Sequence, residues 1–121
     1  MLNIKSKRLL KSFQYAVKGL IKIFREEQNI RIQVLVGVFV LCCGYNFHLK
    51  RIEWCIIIIL ITIVILMEII NSAIERIADV LKPRIDSYVK EIKDIMAGAV
   101  MIASILAVII GIIIFWPYLF N

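Results

Sequence analysis

The stretch WCIIIILITIVILMEIINSAIERIAD, Trp54 to Asp79, decides how this chain folds. From Trp54 to Met67 it carries no charge, and then Glu68, Asn71, Ser72, Glu75 and Asp79 follow in close succession. On a helix at about 100° per residue these five polar residues fall within roughly a third of the circumference. Ile69, Ile70, Ile74 and Ile77 take the opposite face. A helix needs about 20 residues to cross the ~30 Å hydrocarbon core of a bilayer. A crossing that starts at Trp54 therefore ends near residue 73 and leaves Glu68 inside the membrane. A charged group there costs a few kcal/mol or more, so it is a functional candidate by default.

Two more apolar runs flank this one. Ile32 to Leu49 holds no charge, and neither do the twenty residues from Ala97 to Trp116. Three spans are expected, at about 32–49, 54–73 and 97–116, within a single domain covering residues 1–121. The composition agrees: 62% of the 121 residues are hydrophobic and the mean hydropathy is +0.92. A soluble domain of this length could not cover that much apolar surface. Five glycines and two prolines in so apolar a chain also exclude disorder.

Before the first span lies a basic amphipathic segment. Leu9, Leu10, Phe13, Val17, Leu20, Ile21 and Phe24 recur at helical spacing, with Arg8, Lys11, Lys18, Lys22 and Arg25 on the other side. That pattern predicts a helix over about residues 5–28 lying in the membrane interface. It is not a secretory signal, because the apolar run starts too late and no small-residue cleavage site follows it. Eight of the 15 Lys and Arg fall in residues 1–31, five in residues 76–93 and none in 117–121. The positive-inside rule then puts the N-terminus and the 76–93 segment in the cytoplasm. Tyr45, Trp54, Trp116 and Tyr118 mark the outer boundary. With the basic residues given to the membrane face, no nucleic-acid partner is expected.

The cysteines carry no chemistry in this reading. Cys42, Cys43 and Cys55 sit within apolar runs as small packing residues. His48 is the single histidine, so any metal should be a hard cation held by carboxylates. Ala99, Ala103, Ala107 and Gly111 repeat every four residues on the third span, a stripe along which another helix can pack.

Acidic residues gather where the spans meet one membrane face. Glu26 and Glu27 precede the first span, and Lys93 and Asp94 precede the third. Glu26 could simply pair with Lys22, four residues back on the same helix. Taken together, carboxylates for Mg²⁺, cations for phosphate oxygens and a carboxylate at lipid depth are the parts needed for phosphoryl transfer. The acceptor would be a lipid with a hydroxyl head. Neither a Walker-type phosphate loop nor a kinase-type glycine loop occurs.

Glu68-x-x-Asn71-Ser72-Ala73-Ile74-Glu75-x-x-x-Asp79 resembles the signature of the small bacterial integral-membrane diacylglycerol kinase family, which includes undecaprenol kinases. Tyr15-x-x-Lys18-Gly19-Leu20, Glu27-x-x-x-Arg31 and Lys93-Asp94 followed by Ala97-Gly98-Ala99-Val100 resemble its other blocks, so the likeness covers nearly the whole chain. The resemblance implies an all-α membrane protein, a surface helix plus three transmembrane helices, assembled as a homotrimer with shared sites. It implies ATP as phosphate donor and Mg²⁺ as cofactor. Glu68 would be the proton acceptor and Asn71 would orient it or the lipid. Glu27 and Glu75 would hold the metal. Arg8, Tyr15, Asp79, Asp86, Lys93 and Asp94 would join Glu27 and Glu75 around the nucleotide, and Ala97 would join Glu68 at the lipid. The 82–86 loop departs from the family, with Arg84 standing where some members carry an acid. The Ala97–Val100 block is nearer to members acting on undecaprenol. Two other classes compete, a small multispan exporter and a non-enzymatic membrane assembly. The first span lacks the acid an exporter would need, and an assembly protein would not need the polar face of Glu68, Asn71, Glu75 and Asp79.

Overall fold

The structure, a computed structural model, describes residues 3–81 and 86–121 and not the side chain of Asp86. Four helices account for nearly all of it: α1 (Ile4–Glu26), α2 (Gln28–Phe47), α3 (Arg51–Leu81) and α4 (Asp86–Phe120). The last three are long and apolar enough to cross a membrane. The protein is an all-α, multi-pass membrane protein, and no strand occurs among the described residues.

α1 is capped by Asn3, whose side chain accepts from the Ser6 amide at 2.8 Å. It buries no residue, as suits a helix whose apolar stripe is meant for lipid. Extended backbone at Glu27 (φ −106, ψ 112) breaks it from α2. Arg31 Nη1 reaches back to the Phe24 carbonyl at 3.1 Å and the Arg25 carbonyl at 2.5 Å. It thereby satisfies acceptors that the end of α1 leaves open.

The α2–α3 hairpin turns on His48, which is left-handed at φ 55. Its amide donates to the Tyr45 carbonyl and that of Leu49 to the Gly44 carbonyl, the paired bonds that close a helix C-terminus. A non-glycine residue pays about 1–2 kcal/mol for this conformation. The reversal buries Leu49 against Trp54, Ile57 and Ile114 in return. A Cβ on Gly44 would lie 2.9 Å from both Leu49 Cδ1 and the Trp54 ring, so only glycine leaves room here. At the same end Glu53 accepts from the Lys50 amide at 2.9 Å and from the Tyr118 hydroxyl.

α3 is the central element, packing chiefly on α4 and then on α2. Its buried stripe runs Ile57, Leu60, Val64, Glu68 and Ser72, at spacings of three and four. Both α3 and α4 extend past the expected spans. At 31 and 35 residues they are roughly 46 and 52 Å long at about 1.5 Å per residue. That exceeds the ~30 Å hydrocarbon core, so each helix is long enough to extend beyond it. Pro117 lies within the final turn of α4 and does not stop it at Trp116. The small-residue stripe is not where helices of this chain come closest: a Cβ on Gly111 or Gly98 would meet nothing within 4 Å. Gly111 and Ala107 instead line an apolar groove of about 600 Å³ between α2 and α4, floored by Ile57, Leu60 and Val64.

Candidate active site at the α1 end of the bundle

One helical turn beyond Val64 the buried stripe of α3 becomes polar. Glu68 is only 7% exposed and Ser72 3%. Glu68 takes part in no hydrogen bond or ion pair among the described residues, and the charges that act on it are those of two more carboxylates, Glu75 and Glu27. Asn71 Nδ2 donates to Glu75 Oε1 at 3.3 Å. Asn71 Oδ1 is buried without a partner among the described residues. A buried acceptor left unmet in a polar cluster is a place for a ligand hydroxyl, a water or an ion.

Glu27 enters this cluster from the α1–α2 hinge. Glu27 precedes α2 without capping it through its side chain. Its Oε1 instead accepts from Ser72 Oγ at 2.9 Å and from Arg76 Nη2 at 3.3 Å. The same Arg76 nitrogen donates to Glu26 Oε2 at 2.6 Å. This hydrogen bond, foremost among the causes, holds the Glu26 carboxyl below the usual carboxylate range. Glu26 therefore pairs across helices with Arg76 rather than along α1 with Lys22 alone. From α4, Lys93 Nζ reaches Asp79 Oδ1 at 2.6 Å, with Glu75 near enough to attract it as well.

Of the expected site residues, the fold brings Glu27, Glu68, Asn71, Glu75, Asp79 and Lys93 to one end. Asp94 follows Lys93 and is exposed, as is Ala97 one turn further along α4. Arg8 and Tyr15 are exposed on α1 and not joined to this cluster. Arg8 stands 18 residues before Glu26 on an unbroken helix, roughly 27 Å away along its axis. The same chain therefore does not bring Arg8 to its own Glu27. The Asp86 side chain and residues 82–85 lie outside the described residues.

Sequence reading gave no task to Ser72 or Arg76, and Glu26 entered only as one of the gathered acids or as a partner of Lys22. Ser72 had a usable signal, lying four residues after Glu68 on the same face. The partnership of Arg76 depends on where the α1–α2 break falls, which no local pattern reveals.

The donor set suits a hard divalent cation in one particular way. No group of three or more metal-ligating side chains assembles among the described residues. Two carboxylates, Glu27 from the α1–α2 hinge and Glu75 from α3, both act on Glu68. Mg²⁺ commonly takes one or two carboxylates and completes its shell with phosphate oxygens and water. The residues thus fit a metal that arrives with a nucleotide.

Fold and site together define a multi-pass membrane protein with acidic, partly unsatisfied side chains buried at one end of a helical bundle. Residues 14–115 match the family model described as prokaryotic diacylglycerol kinase. The chain belongs to that family and is a lipid kinase. It is 37% identical over 112 residues to the undecaprenol kinase of Bacillus subtilis, covering 93% of this chain and 91% of that one. It is 31% identical to the diacylglycerol kinase of Escherichia coli K12, covering 92% and 91%. A Synechocystis diacylglycerol kinase is 33% identical, with 93% of this chain matching 65% of that protein. Family membership removes the exporter and the non-enzymatic assembly from consideration.

Proposed function

We propose that the protein transfers the γ-phosphate of Mg-ATP to the hydroxyl of a membrane lipid, with undecaprenol (giving undecaprenyl phosphate) ahead of diacylglycerol (giving phosphatidic acid). The observation that carries the reading is Glu68: a buried carboxylate with no cation partner among the described residues, one turn beyond Val64 of the apolar groove and under the charge of two further carboxylates. In this reading Glu68 accepts the proton of the lipid hydroxyl as its oxygen bonds to the γ-phosphorus, the bond from that phosphorus to the β-phosphate oxygen breaks and ADP leaves. Asn71 fixes the hydroxyl through its open Oδ1. Lys93 sits beside Glu75 and Asp79, where it can meet phosphate oxygens. Glu27 and Glu75 would hold the cation, which supplies charge neutralisation at the phosphates. Asp79, Asp86 and Asp94 complete the nucleotide set, and Ala97 borders the lipid. Arg8 and Tyr15 would act on a neighbouring subunit's site in a homotrimer, which accords with their distance from Glu27. The α1 end faces the cytoplasm of a bacterial cell by its excess of Lys and Arg. The preference for undecaprenol is supported by the 37% identity to an undecaprenol kinase and by the Ala97–Val100 block.

The test is transfer of labelled phosphate from Mg-ATP by purified protein in mixed micelles, with the two lipids offered separately and in competition. Glu68→Ala serves as the blank. Transfer to undecaprenol, lost in the blank, is expected. Preferential transfer to diacylglycerol would reverse the choice of lipid. Equal turnover by Glu68→Ala would overturn the base assignment.

A further inference from the structure

We propose that Arg76 is a positioning residue for the metal–nucleotide site, acting on Glu27 through the α1–α2 hinge. The inference rests on the reading of Glu27 as a metal ligand. Glu27 Oε1 is held from α3 by both Ser72 and Arg76, while Oε2 has no hydrogen bond among the described residues. A carboxylate fixed by one oxygen presents the other to a cation in a set direction.

Two distances separate direct from indirect action. Arg76 lies closer to Glu26, at 2.6 Å, than to Glu27, at 3.3 Å. Charge-assisted bonds of good geometry fall near 2.7–2.9 Å and weaken with length. The stronger tie is thus to the residue next to the ligand, at the backbone break. α1 buries no side chain of its own, so core packing does not set the hinge. The Arg76–Glu26 pair joins hinge to α3, and Ser72 then sets the carboxylate of Glu27. Glu26 has no part in the proposed chemistry, which makes it the informative partner.

The experiment uses the full chain in lipid nanodiscs. A fluorescent, non-hydrolysable ATP analogue is titrated at several Mg²⁺ concentrations, and kcat and KM are measured for both substrates. Arg76→Ala and Glu26→Ala should each weaken Mg-dependent nucleotide binding about fivefold, the scale of a partly exposed ion pair. The KM for ATP should rise to match, with kcat and the KM for lipid unchanged. The double variant should be no worse than Arg76→Ala, because the tie from Glu26 to α3 runs through Arg76. Arg76→Lys keeps the charge and should bind within about twofold of the parent. If Arg76→Ala weakens binding but Glu26→Ala does not, Arg76 meets the nucleotide directly and the hinge role is wrong. A fall in kcat with no change in nucleotide KM would also overturn it. Glu27→Ala distinguishes the levels: if it leaves Mg-dependent binding intact, the metal assignment fails. If it abolishes that binding while Arg76→Ala and Glu26→Ala are silent, only the inference about Arg76 fails.

Discussion

The two halves of α3 share one buried stripe and use it in opposite ways. Toward the hairpin the stripe is Ile57, Leu60 and Val64, and the polar groups beyond it are paired: Glu53 accepts from both the Lys50 amide and the Tyr118 hydroxyl. Toward α1 the same stripe continues as Glu68 and Ser72, beside an Asn71 oxygen with no partner among the described residues. Buried polarity that is satisfied can be explained by stability alone. Buried polarity that is not satisfied has an energetic cost and needs another reason to be there. Substrate is the reason proposed above, and the boundary between the halves falls within one helical turn, between Val64 and Glu68.

Erasing that boundary should give the largest effect. Glu68→Leu would extend the apolar stripe by one turn. Turnover should fall by about 10²–10⁴-fold, as for loss of a general base. Resistance to unfolding should rise, because a well-packed apolar side chain replaces a buried, unpaired charge. Kinetics and an SDS-unfolding titration on the same preparation measure both. A variant that is inactive and also less stable would show that Glu68 holds the bundle together, and the contrast between the halves would collapse.

The hairpin half should respond in the reverse sense. Gly44→Val places carbon where Leu49 Cδ1 and the Trp54 ring already stand, 2.9 Å from the Cβ position. Overpacking of this kind costs about 1–3 kcal/mol. Stability should drop by that amount in the unfolding titration, with turnover per folded molecule unchanged. Lost activity in a folded Gly44→Val protein would mean that the halves are coupled along α3.

Much of this contrast was legible before the structure. The run from Trp54 to Asp79 gave the central helix and its polar face, because a 100° period and a bilayer thickness suffice for both. The helix lengths were less legible. Hydropathy marks where a span leaves lipid but not where its backbone stops: the crossing is expected to end near residue 73 with the helix continuing through Asp79, and α3 runs to Leu81. Close approaches within the chain fall elsewhere than the stripe. The four-residue stripe on α4 drew attention, whereas Gly37 and Gly44 of α2, seven apart, are the glycines that lie against neighbouring side chains. Small residues permit contact, but only the geometry of neighbouring helices decides which are used. Arg76 was illegible for a related reason: its partners lie some fifty residues earlier and depend on where α1 ends.

The smallest effect concerns that link. Among the influences on Glu26, the Arg76 hydrogen bond comes first; the charges of Arg76 and Lys22 act in the same direction, and partial desolvation opposes them. A carboxylate whose folded value is depressed contributes stability above its unfolded value and loses it as pH falls through the folded one. The hinge tie is therefore complete at neutral pH and gives way only below the ordinary glutamate range. Nucleotide affinity near neutrality should not vary through this pair. Carbon-13 carboxyl shifts of Glu26, followed in nanodiscs on acidification, should show a depressed midpoint that rises in Arg76→Ala and rises less in Lys22→Ala. Coincident curves for the parent and Arg76→Ala would mean that Glu26 and Arg76 are not paired in the membrane. The α1 hinge would then be held by Ser72 and Arg31 alone, and the half bearing the candidate site would be looser than its geometry suggests.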